Sequence, residues 1–432
     1  MQITGYRCKL HIVYLCWRTI FKMEIEAWYS NNFESLISGR YVTLEHIKPL
    51  LEKYNNYYEI SILGVSELGK EIPMIKIGSG KKIVLAWSQM HGNESTTTKT
   101  IFDFLKFVTQ KDHFKDEIKS FLNDFTLYVI PILNPDGASL YTRNNANDID
   151  LNREAQNLSQ NESRVLMNVF KTLKPNLCLN LHGQRSIFGL ETKKPATVSF
   201  LSPSSTIDRQ VTDSRKMAMQ LIVGLNNYLQ QLIPGQIGRY DDSFNANCFG
   251  DTFQKEGVPV ILFEAGHIGS DYRREKTRAY LFYAMVCLFD IVKQDGFPIT
   301  HKDYFLIPKN KKNYYDYILR NVLVNGSIKA TSIAIQFTEL LERLYPPKES
   351  VTRKKEKPNT KNENKAQNKP AKTTVVNLGV SGFHLIVTEY KAKPVAEIKP
   401  IIAPSALPEI LSLKIIIQTP KKATIIENNV AL

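Results

Sequence analysis

Between about residue 24 and residue 300, short apolar runs alternate with amphipathic segments. YYEISILGVS and EIPMIKIGSG predict two strands joined by a polar turn that contains Gly69. KKIVLAWSQM predicts a third strand, after which HGNESTTTKTIFDFLKFV turns into a helix. Ser95 and the threonines behind it suit the helix entry, and Ile101, Phe102, Leu105 and Phe107 supply its apolar positions. DFTLYVIPIL, NLCLNL and VPVILF predict further strands. These central runs are apolar without strict alternation, the pattern of strands covered on both faces. Strands alternating with helices predict an α/β domain with a mixed, mostly parallel central sheet and helices on both faces. Ligand sites in such sheets form at strand carboxyl ends.

After residue 300 the pattern changes. NYYDYILRNVLVNGSIKATSIAIQ predicts two strands and TELLERL a short helix. Residues 346–373 are rich in Lys, Asn and Pro and predict a disordered linker. VVNLGV, FHLIVTEY, EILSLKIIIQ and ATIIENN then predict a small β-rich region. The expected organisation is an N-terminal extension at 1–22, a main domain at 23–300, a β-rich and helical extension at 301–345, the linker, and a β-rich region at 374–432.

The chain has 432 residues and a formal net charge of +14. Charge of that sign suits nucleic acid, but nine Lys and Arg against three Glu in residues 346–373 put +6 of it in the linker. These lysines lack the interleaved aromatics that stack on bases, so a solvated tether is expected, not a nucleic-acid interface. Cys8, Cys16, Cys178, Cys248 and Cys287 are odd in number and form no CxxC pair, which excludes a disulfide framework and points to a reducing, cytoplasmic compartment. Leu10 to Phe21 is apolar, but His11 and Arg18 interrupt it and no small-residue cleavage site follows, so neither a signal peptide nor a membrane span is expected.

The candidate chemistry lies at the predicted strand ends. His91 and Glu94 form an HxxE pair on which one metal ion could sit, and the cysteines offer no four-ligand structural alternative. His182, at the end of NLCLNL, reaches the same sheet edge and supplies a third ligand. Glu264, at the end of VPVILF, is costly among apolar residues unless it is paired, caps the next segment, or faces a site as a general base. LNPDGASLYTRNNANDIDLNRE carries Arg143, Asn152 and Arg153, with Asp148 and Asp150 between them. Guanidinium groups grip carboxylates and stabilise oxyanions, although a loop of arginines can equally be a solvated surface.

HGNE, NPDG…R…DLNR, LHG and FEAGH, in that order, resemble the zinc carboxypeptidase family related to carboxypeptidase A, over roughly residues 55–295. The resemblance implies one zinc ion held by His91, Glu94 and His182, with Glu264 as the base acting on zinc-activated water. It also implies that Arg143 polarises the scissile carbonyl, that Asn152 and Arg153 bind the substrate's terminal carboxylate, and that Tyr240 is the mobile tyrosine. The expected substrate is a peptide with a free C-terminus, cell-wall peptides included. An aspartoacylase-like amidohydrolase acting on N-acyl amino acids shares HGNE, DLNR and the histidine and is the alternative. The segment from Tyr240 to Asp251 has no familiar pattern, and Asp241, Asp242 and Asp251 are candidates for favouring a basic side chain.

Overall fold

The computed structural model describes residues 23–293, 299–322, 331–339 and 341, and five strands beyond residue 371. The expected extension at 1–22, most of TELLERL and residues 346–371 lie outside the described residues. The chain divides into two compact units between Tyr314 and Tyr315.

The first unit begins with helices α1 (23–32) and α2 (Leu44–Tyr54) and the hairpin of β1 (Glu59–Val65) and β2 (Glu71–Ile77). There follow β3 (Lys82–Ser88), α3 (Thr96–Thr109), α4 (Lys115–Asp124), β4 (Phe125–Ile130), α5 (Pro135–Leu140) and α6 (Asn161–Leu173). Next come β5 (Leu177–Gly183), β6 (Phe188–Gly189), β7 (Val198–Leu201), α7 (Asp213–Leu229) and β8 (Ile237–Arg239). The unit closes with α8 (Phe249–Lys255), β9 (Val260–Ala265), α9 (Glu275–Lys293) and β10 (Lys311–Lys312). Eight strands form one sheet in the order β1-β2-β4-β3-β5-β9-β7-β8. The central four, β4-β3-β5-β9, run parallel, whereas β2 on β4 and β7 on β9 are antiparallel.

The uniform apolarity of the central runs has a direct cause. Val84 and Ala86 of β3 enter one core with α3, α7 and α9, while Leu85 and Trp87 enter a second core with α6 and α8. Both faces are dry, so both sets of alternating positions must be apolar. In the β1–β2 turn Gly69 adopts φ +77°, a region other residues avoid.

Helix α3 departs from a simple amphipathic pattern. Lys99 and Asp103 are fully buried. Arg278 of α9 clasps the Asp103 carboxylate with two hydrogen bonds of 2.7 and 2.6 Å, and Tyr29 of α1 donates a third at 3.1 Å. The pair pins α1 and α9 to α3.

The main domain extends beyond residue 300. A 3₁₀ turn at His301–Leu306 buries Tyr304 completely, and the Tyr304 hydroxyl accepts from Ser202 N. Asn310 donates to Gln184 at 2.8 Å, and β10 pairs with β6. The boundary therefore falls at Tyr314, because one aromatic anchor outweighs the polar composition around it. In the second unit the two strands expected after residue 313 are β11 (Tyr317–Val322) and β12 (Thr331–Thr338). The β-rich tail supplies β13 (Lys372–Asn377), β14 (Phe383–Tyr390), β15 (Lys393–Pro400), β16 (Ser412–Thr419) and β17 (Lys422–Glu427). They form the antiparallel sheets β11-β12-β16-β17 and β13-β14-β15, with β13 starting two residues inside the expected linker. Among the described residues no helix is long and apolar enough to cross a membrane.

A chain ending after residue 300 loses Tyr304 and Asn310. It should melt several degrees below a chain ending after Tyr314 in a calorimetric scan.

Candidate active site

The site is assembled by two loops at the carboxyl edge of β3 and β4. Past β3, Gln89 takes a left-handed φ of +44°, and its buried amide holds it there. Its Nε2 donates to Val42 O and Gly92 O, and its Oε1 accepts from Thr98 at 2.7 Å. Glu94 N donates to His91 O at 3.0 Å, closing a turn that sets residues 91 and 94 side by side. Past β4, NPDG forms the start of α5, not a bare turn, because Asn134 caps Gly137 N at 2.8 Å and Pro135 occupies the first helical position. Asn134 Nδ2 also donates to Met90 O at 3.2 Å, beside His91. The two loops touch backbone to backbone: a Cβ on Gly92 would stand 1.9 Å from the Gly137 carbonyl carbon.

His182 comes from β5, and its parallel register with β9 sets Glu264 directly opposite. The ligand atoms of His91, Glu94 and His182 lie within 4.8 Å of one another. His91 Nδ1 is 3.0 Å from Glu94 Oε1 and 3.1 Å from His182 Nδ1, which is 3.0 Å from Glu94 Oε2. Two imidazole nitrogens and a carboxylate aimed at one point fit a zinc ion, and a three-ligand set leaves a coordination position for chemistry. His91 Nε2 lies 3.0 Å from Asp150 Oδ1. A carboxylate on the far nitrogen fixes the tautomer that leaves Nδ1 bare.

The electrostatics separate the two glutamates. Burial works to raise the Glu94 carboxyl, but the attraction of His91 and hydrogen bonds from His182 and His91 hold it well below the usual range. Glu264 is pushed well above that range, first by burial and then by the charge of Glu94. Its Oε2 is buried with no hydrogen-bond partner among the described residues. Burial lowers His182. Burial also acts to lower His91, but Glu94 and Asp150 outweigh it and raise it.

Arg143, half-exposed, donates from Nε to Asp150 Oδ2 at 3.1 Å and approaches Glu94 Oε1 at 3.4 Å. Asn152 and Arg153 lie in a 3₁₀ turn, Leu151–Arg153. Asn152 Oδ1 accepts from Phe249 N at 3.3 Å, and Arg153 donates to Cys248 Sγ at 3.1 Å. Tyr240 packs on Phe188, and burial followed by the charges of Glu264 and Glu94 raises its hydroxyl. The structure thus brings seven of the eight sequence-selected residues to one edge, while Tyr240 follows Arg239, which is aligned through Phe200 with Phe263, one residue short of Glu264.

Asp150 is the residue that sequence reasoning left without a role. Its Oδ1 also accepts from Asn152 N at 2.9 Å. Of the three aspartates expected to favour a basic side chain, two are held by neighbouring side chains, and the third, Asp251, lies within reach of the Arg153 charge. Asp242 pairs with Arg215 and Arg209, Asp241 accepts from Ser243, and Asp251 accepts from Asn245 N with its carboxyl pushed up to about 7 by burial. Asp150→Ala should weaken zinc binding roughly 10–100-fold in a chelator competition, with the folded secondary structure retained by circular dichroism.

Residues 43–221 match the family model described as zinc carboxypeptidase, a stretch that includes both loops and His182 and ends before Tyr240 and Glu264. Carboxypeptidase SOL1 of Arabidopsis thaliana is 28% identical over 106 residues, which cover 22% of this chain and 21% of that protein. Human carboxypeptidase D is 23% identical over 160 residues, 32% of this chain and 12% of that protein. The chain therefore spans about a fifth and an eighth of these relatives' lengths. A metallo-carboxypeptidase from Burkholderia cenocepacia aligns at a TM-score of 0.48 with 15% identity, over 61% of this chain and 70% of its own. Carboxypeptidase A from Helicoverpa armigera aligns at 0.45 with 15% identity, over 64% and 82%. With the metal ligands and the arginine loop inside the matched stretch, residues 43–221 are a zinc carboxypeptidase domain.

Proposed function

We propose that this chain is a zinc-dependent carboxypeptidase that hydrolyses the C-terminal amide bond of a peptide. The observation that carries the reading is the convergence of His91, Glu94 and His182 within 4.8 Å beside the unpartnered carboxylate oxygen of Glu264. When bound, zinc supplies Lewis acidity towards the scissile carbonyl and acidifies the attacking water. Glu264 takes the proton from that water and passes it to the leaving nitrogen. Burial makes it a stronger base than an exposed carboxylate, so it holds the proton between the two steps. Arg143, at the mouth, turns from Asp150 towards the oxyanion as it forms. Arg153 and Asn152 hold the terminal carboxylate, which makes the enzyme an exopeptidase. Tyr240 closes over the bound residue.

Cell-wall peptides are one substrate class that ends in such a carboxylate. Cys178 and Cys248, which form no disulfide among the described residues, support a cytoplasmic place of action.

Glu264→Gln should keep its zinc, measured by metal analysis, and lose roughly 10²–10⁴-fold in turnover; retained turnover removes the base from Glu264. Amidating the substrate's C-terminus should abolish cleavage by the wild-type chain, read by mass spectrometry. Equal cleavage of acid and amide contradicts the exopeptidase reading, and cleavage of N-acyl amino acids alone selects the amidohydrolase instead.

A further inference from the structure

Asn180 carries a side-chain carboxamide that the fold leaves without a partner. It is 1% exposed, and neither Nδ2 nor Oδ1 has a hydrogen-bond partner among the described residues. Buried polar groups are almost always satisfied, so a donor and an acceptor orphaned on one side chain point to a ligand with the complementary pair. Trp87 Nε1 is orphaned too, and Trp87 is the residue aligned with Asn180 between β3 and β5.

The place of this amide in the sheet connects it to the chemistry. Asn180 precedes His182 by two residues on β5, so both point to the same face, with Asn180 one pleat deeper. Its aligned neighbour on β9 is Leu262, two residues before Glu264. The amide therefore lies in the floor beneath the metal ligand and the base. Gly250 stands over it without a side chain: a Cβ there would come 3.5 Å from Asn180 Nδ2 and 3.2 Å from Pro203 Cγ. The two residues before Gly250 are fastened to the carboxylate grip, since Phe249 N donates to Asn152 Oδ1 and Cys248 Sγ accepts from Arg153. A residue whose carboxylate were held by Arg153 and Asn152 would bring its own side chain towards Gly250 and Asn180.

We propose that Asn180 reads the side chain of the departing C-terminal residue and selects a carboxamide, as carried by glutamine or asparagine. This rests on the carboxypeptidase reading above. A carboxamide donates to Asn180 Oδ1 and accepts from Nδ2, with Trp87 Nε1 as a second donor. A carboxylate would leave Oδ1 without a donor, an apolar side chain would leave both atoms orphaned, and Asp242 has its charge matched by Arg215 and Arg209.

The test titrates the zinc-loaded full chain, by calorimetry, with free glutamine, asparagine, methionine, leucine, glutamate and lysine, the products that such cleavage would release. The better of the two carboxamides should bind on the order of tenfold or more tighter than its apolar isostere. Asn180→Leu should erase that difference, and its melting temperature should rise, because an apolar side chain of similar size replaces an unsatisfied amide. Equal binding of carboxamide and isostere, no binding of either carboxamide, or a preference for glutamate or lysine overturns the proposal in the wild-type chain alone. So does a folded Asn180→Leu protein that keeps the preference. Peptide cleavage is scored separately. A chain that cleaves peptides without carboxamide preference loses this inference and keeps the carboxypeptidase reading, whereas selective binding without cleavage of any peptide does the reverse.

Discussion

One carboxylate, that of Asp150, ties the site together. Its Oδ1 receives His91 Nε2 and Asn152 N, and its Oδ2 receives Arg143 Nε. Burial would raise its pKa, but the hydrogen bond and charge of His91, followed by Arg143, hold it well below the usual range. It therefore stays a charged acceptor at any physiological pH. Hydrogen bonds to a charged group are worth about 1.5–3 kcal/mol each, and three of them here orient His91, Arg143 and the backbone of Asn152. Because one side chain holds all three, their contributions are coupled and do not add as independent terms.

The parallel register of β5 and β9 does the complementary work. It sets His182 against Glu264 without any loop intervening, so their spacing is set by strand pairing alone. The two glutamates then diverge by surroundings alone. Two imidazoles hold the Glu94 carboxyl below the usual range, while burial and the charge of Glu94 push that of Glu264 above it. The same side-chain type thus takes opposite shifts in two neighbouring places.

Much of this was legible in the sequence because it follows from local pattern. Apolar runs announced the strands, and polar residues where those runs stop announced the site, since a strand end in an α/β sheet is where polar side chains can face a ligand. What stayed hidden depends on partners far along the chain. Asp150 sits among several polar loop residues, and nothing local separates it from Asp148, which bonds to Asn144 in its own loop. Lys99 and Asp103 look like the outer face of a helix until Arg278 and Glu275 of α9 meet them. Tyr304 anchors a stretch whose composition suggested a separate extension. Asn180 is a single polar letter inside NLCLNL, and only its lack of a partner marks it.

The contact between Gly92 and Gly137 has a consequence for how such a site can change over time. The metal-binding loop and the arginine loop are pressed together with no room for a single added carbon. Any substitution at Gly92 forces one loop to move away from the other, because its Cβ would collide with the backbone of Gly137 and Ala138. A side chain added at Gly92 meets backbone, whereas one added at Gly250 meets only the side chains of Pro203, Asn180 and Val260, which can yield.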